Sequence, residues 1–218
     1  MIIVFARAPV AGAAKTRLIP RLGAWRAARL HLRLTRHALA TARAARCGPV
    51  ELQLSQRHSL FRGARLQRGA DLGSRMQRAF AKARRPAILI GADCPELTAA
   101  DLRRAMRWLR GGYDAVLAPA EDGGYALVAL RRPIPELFQG VEWGSERVYA
   151  QTVKKLAAYR WRALRTVRDV DRPQDLERLR SLRFASASGR SARRSADSRG
   201  RWGESGRLST RALSAPRR

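Results

Sequence analysis

Small residues and two cations occupy the segment that follows the apolar run at residues 1–6. The segment reads Ala8-Pro-Val-Ala-Gly-Ala-Ala-Lys-Thr-Arg-Leu. Its small side chains would let backbone N–H groups approach a phosphate closely, and Lys15 and Arg17 could neutralise the phosphate charge. The spacing matches neither a Walker A loop nor GxGxxG. An ordinary strand-to-helix connection with two solvated cations therefore explains the same residues equally well.

Carboxylates follow three later apolar or β-rich runs. Asp93 stands just after the run at residues 86–91, and Glu121 and Asp122 precede a Gly-Gly turn. Asp169 and Asp171 alternate at the end of a further strand-like run. A carboxylate at such a position could hold Mg²⁺ or Mn²⁺ against diphosphate oxygens, and one on the Gly-Gly turn could act as a base or as a metal ligand.

Each of these carboxylates also has a purely structural interpretation. Asp93 could cap a turn at the end of its strand. Glu121 and Asp122 could belong to a tight Asp-Gly hairpin turn, and Asp169 and Asp171 could favour the N-terminus of the helix that follows them. Taken one at a time, the segments leave both interpretations open.

Histidine and cysteine chemistry is not indicated by the spacing. His31 and His37 are six residues apart in one helical stretch and should face different directions, while His58 lies in a basic loop. We expect all three histidines to be structural or exposed. Cys47 and Cys94 form no CxxC pair, which argues against a disulfide scaffold or a zinc site and fits a reducing compartment.

The elements that would position the carboxylates alternate between strands and helices. This alternation predicts an α/β fold, a three-layer α/β/α Rossmann-like sandwich with a mostly parallel sheet. Ligands of such folds bind beyond the carboxyl ends of the strands, where the acidic segments and the loop at residues 7–18 fall. Strands are predicted at residues 1–6, 50–54, 86–91, 114–118, 126–130 and 161–170, and helices at 24–46, 71–83, 98–109, 145–159 and 173–182.

The character of the sequence changes near its end. Residues 185–218 consist mostly of Ser, Arg, Gly and Ala, with nine arginines against Asp197 and Glu204. Such a segment cannot bury enough apolar surface to order itself. We therefore predict one folded domain at residues 1–184 and a disordered Arg/Ser-rich tail at 185–218.

The formal net charge is +28, which on its own would suggest a nucleic-acid partner. Only four of the 45 basic residues are lysines, and the arginines are spread along the whole chain. We interpret this as a generally basic surface without specific nucleic-acid recognition, and keep charge-driven nucleic-acid binding as an alternative. No apolar stretch approaches the roughly 20 residues of a membrane span, and no signal peptide is evident, so we expect a cytoplasmic protein.

Five segments in register carry a resemblance to a known family. They are Phe5-Ala-Arg-Ala-Pro-Val-Ala-Gly-Ala-Ala-Lys-Thr-Arg-Leu, Gly69-Ala-Asp-Leu-Gly-Ser-Arg-Met, Gly91-Ala-Asp-Cys-Pro-Glu-Leu, Glu121-Asp-Gly-Gly-Tyr and Asp169-Val-Asp-Arg-Pro-Gln-Asp-Leu. Together they resemble the bacterial glycosyltransferase-like family associated with arsenosugar biosynthesis, within the nucleotide-diphospho-sugar transferase superfamily and related to phospholactate guanylyltransferases. The resemblance spans residues 1–182, and the arsenosugar association belongs to the family name rather than to this chain.

The resemblance implies a fold of the GT-A type and a metal-dependent transfer of sugar from a nucleotide-diphospho-sugar donor to a small acceptor. It implies Mg²⁺ or Mn²⁺ at Asp93 and at one of the Asp169/Asp171 pair, with Asp171 preferred. Asp122, with Glu121 beside it, would orient or deprotonate the acceptor hydroxyl. The positions implied in nucleotide binding are Ala8, Gly12, Lys15, Thr16, Arg17 and Asp71.

A nucleotidylyltransferase would share this fold and metal site. Such an enzyme attacks the α-phosphate of a nucleoside triphosphate and releases pyrophosphate, and its first loop is usually rich in glycine with closely spaced Arg and Lys. Here the loop is rich in alanine and contains one glycine, Gly12, which favours sugar transfer.

Overall fold

A seven-stranded sheet forms the centre of the protein, whose computed structural model describes residues 1–179. The strand order is β3-β2-β1-β4-β6-β5-β7. Six strands run parallel, and β6 is antiparallel to both of its neighbours, β4 and β5. The strands are β1 (Ile2–Ala6), β2 (Val50–Leu54), β3 (Arg65–Leu66), β4 (Ala87–Gly91), β5 (Ala115–Pro119), β6 (Tyr125–Leu130) and β7 (Trp161–Ala163).

Helices cover both faces of this sheet. Over residues 1–179 they are α1 (Ile19–Leu22), α2 (Ala24–Ala45), α3 (Leu72–Lys82), α4 (Ala99–Arg110), α5 (Val148–Lys155) and α6 (Asp175–Leu179). Short 3₁₀ turns lie at Thr16–Leu18, Ser59–Phe61 and Pro135–Phe138. None of the helices in this part of the chain combines the length and apolarity needed to cross a bilayer.

Alternation along β1 divides the core into two layers. Val4 and its even-numbered neighbours pack with side chains of α2 and α4, whereas Ile3 and Phe5 pack with those of α3 and α5. Because successive strand side chains point to opposite faces, a strand that is apolar throughout must be covered on both sides. The predicted three-layer α/β/α sandwich with a mostly parallel sheet is confirmed.

Most predicted elements agree with the structure to within a few residues, and α4 begins with a capping box formed by Thr98 and Asp101. Residues 161–170 differ, because only Trp161–Ala163 forms a strand, and a single bridge then joins Val167 to Ala120. The two-residue strand β3 lies in a segment that the sequence predicts as an irregular loop. The predicted tail at residues 185–218 lies outside the described residues.

Candidate functional site

The carboxyl ends of β1, β4 and β5 lie at one edge of the sheet, because these strands run in the same direction. The loop at residues 7–18 follows β1, and Asp93 stands two residues beyond β4. The segment at residues 167–171 is attached to this edge by three backbone hydrogen bonds, one of which runs from the Glu121 N–H to the Val167 carbonyl at 3.2 Å. Val167 donates to the Pro119 carbonyl at 2.9 Å, and Val170 donates to the Asp93 carbonyl at 2.9 Å. The sheet therefore brings together segments that are far apart in the sequence.

Lys15 is the centre of the side-chain contacts at this edge. Its Nζ lies 2.7 Å from Asp93 Oδ1 and 3.7 Å from Asp171 Oδ1, and its side chain is 3% exposed. Lys15 also has left-handed backbone angles, with φ of 53° and ψ of 46°. A non-glycine residue in this region costs of the order of 1–3 kcal/mol, a strain that is found mostly at functional sites. The backbone thus holds a buried ammonium between two carboxylates.

Arg17 supplies the second cation of the site. Its Nη1 lies 2.6 Å from Asp171 Oδ2, so Asp171 contacts Lys15 through one oxygen and Arg17 through the other. The Arg17 side chain is 65% exposed, whereas that of Lys15 is buried. Arg17 can therefore turn toward a ligand at little cost, while Lys15 cannot leave its carboxylates without losing a buried ion pair.

His31 is a site residue that the sequence reasoning missed. It lies on α2 and is 2% exposed, with Nε2 at 3.0 Å from the Arg7 carbonyl oxygen and Nδ1 at 3.4 Å from Asp93 Oδ1. Both ring nitrogens thus face oxygen atoms. His31 is thus buried and connects loop 7–18 to Asp93, a position that is compatible with the expected structural role and that the sequence did not place in the site.

The carboxylate of Asp93 has one enclosed oxygen and one accessible side. Oδ1 is buried against Lys15 and His31, whereas the side chain as a whole is 47% exposed. Burial alone would raise the pKa of Asp93, but the charge of Lys15 and the contact with His31 outweigh burial and hold that pKa well below its usual value. Asp93 is therefore an anion that faces open space.

Asp169 shows the opposite behaviour. Partial burial, with the nearby carboxylates of Asp122 and Asp171, raises the pKa of Asp169 to about 6 against the opposing effects of its own backbone hydrogen bond and of Lys15. The shift shows that Asp122 lies close enough to Asp169 to interact with it. We use the name acidic cluster for the four carboxylates Asp93, Asp122, Asp169 and Asp171.

Loop 7–18 has a fixed backbone around its small residues. Ala8 N–H donates to Ser55 Oγ at 3.1 Å, and the Val10 carbonyl accepts from the N–H groups of residues 13 and 14. Gly12 has φ of 84°, and a Cβ there would meet nothing within 4 Å, so its conformation rather than crowding calls for glycine. Thr16 is exposed at the first residue of a 3₁₀ turn.

The other predicted site residues have different surroundings. Asp122 is exposed, and its Oδ1 accepts the Gly124 N–H at 2.9 Å, which leaves it on the rim of the cluster. Glu121 forms an ion pair with Arg168 at 2.7 Å. Asp71 forms a capping box with Ser74 at the start of α3, and none of its described hydrogen bonds reaches loop 7–18.

The two predicted metal ligands suit a divalent cation that is shared with a substrate. Asp93 and Asp171 already converge on one positive charge, the Lys15 ammonium, and both carboxylates are partly exposed. Within residues 1–179 no group of three or more His, Cys, Asp or Glu side chains could enclose a metal by itself. Mg²⁺ is typically bound by one or two carboxylates together with waters and substrate phosphates, and the observed residues fit that mode.

A family model matches residues 23–145, which is more than half of the chain. The chain belongs to DUF2064. This family is described as uncharacterized protein conserved in bacteria. That description carries no arsenosugar assignment. Comparison with curated proteins gave no match.

Solved structures with the same fold include one relative of substantial sequence identity. A protein of Desulfovibrio desulfuricans G20, named as a candidate nucleotide-diphospho-sugar transferase, is 30% identical to this DUF2064 chain, with a TM-score of 0.74. The match covers 82% of this chain and 84% of the other. Membership of DUF2064 and a fold of the GT-A type are therefore established. The fold assignment applies to the sheet and the helices that cover it.

Two more distant structures show the fold alone. A nucleotidyl transferase from Methanothermobacter thermautotroptrophicus is 16% identical, with a TM-score of 0.56 over 83% of this chain and 96% of the other. Rv0371C from Mycobacterium tuberculosis H37Rv, in a complex with manganese, is 19% identical, with a TM-score of 0.51 over 83% and 98% of the two chains. At these identities the two structures establish the shared fold and no activity for this chain.

Proposed function

We propose that this protein is a metal-dependent glycosyltransferase that moves a sugar from a nucleotide-diphospho-sugar to a small acceptor. The observation that carries the proposal is the convergence of Lys15, Asp93 and Asp171 at the carboxyl edge of the sheet. A diphosphate with its divalent cation needs both carboxylates and cations within a few ångströms, and this edge offers both. The name of the 30% identical relative supports a nucleotide-diphospho-sugar as the donor.

In this proposal each residue has a distinct role. Asp93 and Asp171 would hold Mg²⁺ or Mn²⁺, which when bound offsets negative charge on the diphosphate leaving group. Arg17, which is exposed, would turn from Asp171 toward a phosphate, and Lys15 would keep the two carboxylates in register. The backbone of loop 7–18, including Ala8, Gly12 and Thr16, would line the diphosphate.

In this proposal Asp122 acts on the acceptor of the sugar. Its exposed carboxylate could accept the proton of an acceptor hydroxyl as that hydroxyl attacks the anomeric carbon. Glu121 would then act indirectly, because its ion pair with Arg168 fixes the strand end from which Asp122 projects. Asp71 would hold the start of α3 through its capping box rather than contact the nucleotide directly.

The test is a thermal-shift panel of nucleotide-sugars and nucleoside triphosphates, each with and without Mn²⁺. A ligand at about 100 times its dissociation constant stabilises a protein by about 2.7 kcal/mol, or about 5–11 °C for a domain of this size. We expect a Mn²⁺-dependent shift with one nucleotide-sugar, and its loss in Asp93→Asn. Asp114→Asn is the matched control, because Asp114 forms a similar ion pair with Arg131 at the opposite end of β5.

Transfer of a nucleotidyl group is the second candidate. The site would place the same cations, Lys15 and Arg17, and the same carboxylates around a triphosphate, so the geometry alone serves both reactions. A shift confined to triphosphates, with pyrophosphate released on turnover, would replace the glycosyltransferase proposal by this one. Absence of any nucleotide-induced shift in the folded protein would reject both.

A further inference from the structure

Six cationic side chains line one groove beside the edge strand β3. The groove has a volume of about 380 Å³ and lies between the outer strands and α3. Phe5 of β1 pairs with Gln53 of β2, which pairs with Arg65 of β3, so the three residues form one row from the centre of the sheet to its outermost strand. Helix α3 covers only the part of this row nearest the centre of the sheet. The cations are Arg57, Arg65, Arg68, Arg75, Arg78 and Lys82.

The positive charge of this basic groove is largely uncompensated. Among the described ion pairs, one carboxylate reaches a groove cation, with Glu51 Oε2 at 3.1 Å from Arg65 Nε. No residue of the acidic cluster and none of loop 7–18 lines the groove. Like charges that line one groove repel one another unless an anion lies between them, so the groove favours a ligand with several negative charges.

A second hollow of about 330 Å³ adjoins the basic groove, and the two share Arg57 and Ala64. Its lining includes the rings of His58 and Phe61, whose centroids are 6.5 Å apart at an angle of 51°. The basic groove offers cations for successive phosphates, and the second hollow offers a ring surface for a base. This combination is typical of surfaces that bind single-stranded nucleic acid without sequence preference.

We propose that the basic groove and the hollow beside it bind a single strand of nucleic acid independently of its sequence. The backbone phosphates would lie along the cations of α3 and β3, and one base would contact Phe61. A duplex is disfavoured, because the hollow admits a base only when it is unpaired. The linings of the groove and the hollow share no residue with the acidic cluster or with loop 7–18, and the proposal does not depend on the metal ligands there.

The experiment measures binding of a fluorescein-labelled oligothymidylate of about 12 nucleotides to the full chain over a series of salt concentrations. The groove variant is Arg78→Glu with Lys82→Glu, since both side chains are exposed on α3. The control is Arg104→Glu with Arg107→Glu, which are exposed on α4 across the sheet. Both double variants change the net charge equally, and a thermal melt of each checks that the fold is kept.

We expect the groove variant alone to bind more weakly. Loss of two phosphate contacts lowers the slope of log K against log salt by about 1.4 and weakens binding by about tenfold near 0.15 M salt. An equal loss in both variants would assign binding to the general charge of the chain and overturn the proposal. No loss in either variant would overturn it as well.

Inorganic tripolyphosphate serves as the competitor that distinguishes a small anion from a strand. Displacement of the oligonucleotide only at millimolar tripolyphosphate supports the strand. If tripolyphosphate competes at the concentration of the oligonucleotide itself, and affinity does not rise with strand length, the groove is a site for a small polyphosphate and the proposal fails.

Discussion

Replacement of Lys15 by Met would test whether the buried ammonium holds the site together. Methionine has similar length and occupies the same left-handed backbone position, so the change removes the charge and largely keeps the shape. Asp93 Oδ1 would lose a partner at 2.7 Å. Hydrogen bonds to charged groups contribute about 1.5–3 kcal/mol. Oδ1 is enclosed, but the accessible side of the same carboxylate stays hydrated, so we expect a loss at the lower end of this range, about 1.5 kcal/mol at pH 7.

The stability that Lys15→Met loses should depend on pH, because it depends on the charge of Asp93. The pKa of its carboxyl is lower in the folded protein than the ordinary value of 3.8, so the pair with Lys15 stabilises the fold above that value. This stabilisation disappears as the pH falls toward the folded-state pKa and Asp93 takes up a proton. The difference between wild type and Lys15→Met should therefore be constant from pH 7 to 5 and shrink below about pH 4.

Chemical unfolding of both proteins from pH 7 to pH 3 measures this difference directly, and at neutral pH it corresponds to about 3–6 °C in Tm. Lys154→Met is the matched control, because Lys154 is exposed on α5, and its effect should stay within about 0.5 kcal/mol. A Lys15→Met effect as small as the control, or one that is undiminished at pH 3, would refute the assignment of the ion pair as the centre of the site.

Two further changes test the frame around the site. Gly123→Ala should lower the free energy of unfolding by about 2–4 kcal/mol, because φ is 84° and the new Cβ would overlap the Glu146 carbonyl. Gly140→Ala is the control, because its φ is 60° and the space around it is open, so the loss in chemical unfolding should be about 1 kcal/mol. Asp101→Asn should lower the free energy of unfolding by about 1 kcal/mol at pH 7 through its bonds with Thr98. Because those bonds lower the Asp101 pKa against the effect of burial, this difference should begin to shrink as the pH falls below 3.8 and disappear only toward the lower folded-state pKa.

Equal costs for the two glycine variants would show that the Gly123 turn does not contact residue 146 as described. A cost of Asp101→Asn that persists at low pH would show that the neutral side chain, rather than the carboxylate, stabilises the start of α4.

The fold could be predicted from the sequence because each central strand is apolar at every position. A run such as the one in β4 can be satisfied only between two covering layers, and α2 shows the spacing of one buried face. Strand β3 could not be predicted, because two residues carry no periodicity and pairing with β2 alone defines it. The short strand β7 was overestimated for a related reason, since residues 164–170 contact the sheet edge mainly through isolated backbone hydrogen bonds.

The sequence predicted only part of the candidate site, because contacts between residues far apart along the chain are hard to infer from spacing. Lys15, Asp93 and Asp171 stood out because each follows a strand whose end must lie at one edge of the sheet. His31 did not, because it belongs to a helix, and its contact with Asp93 depends on how α2 packs across the end of β4. The six-residue spacing of His31 and His37 shows which faces of α2 the two residues occupy. It does not show which strand or loop packs against each face.

The negative charge of the acidic cluster should make the binding of the metal and the binding of the nucleotide in the proposed function depend on each other. Two of the four carboxylates, Asp93 and Asp171, contact Lys15 or Arg17, and the cluster holds more carboxylates than cations. Burial raises the pKa of Asp169 to about 6, and the neighbouring carboxylates Asp122 and Asp171 contribute to this rise. A divalent cation would correct this deficit, and its remaining coordination positions could be completed by phosphate oxygens and water. A nucleotide diphosphate without the cation would meet the same carboxylates as a repulsive field. Binding of the two should therefore be strongly cooperative, with each weak when the other is withheld.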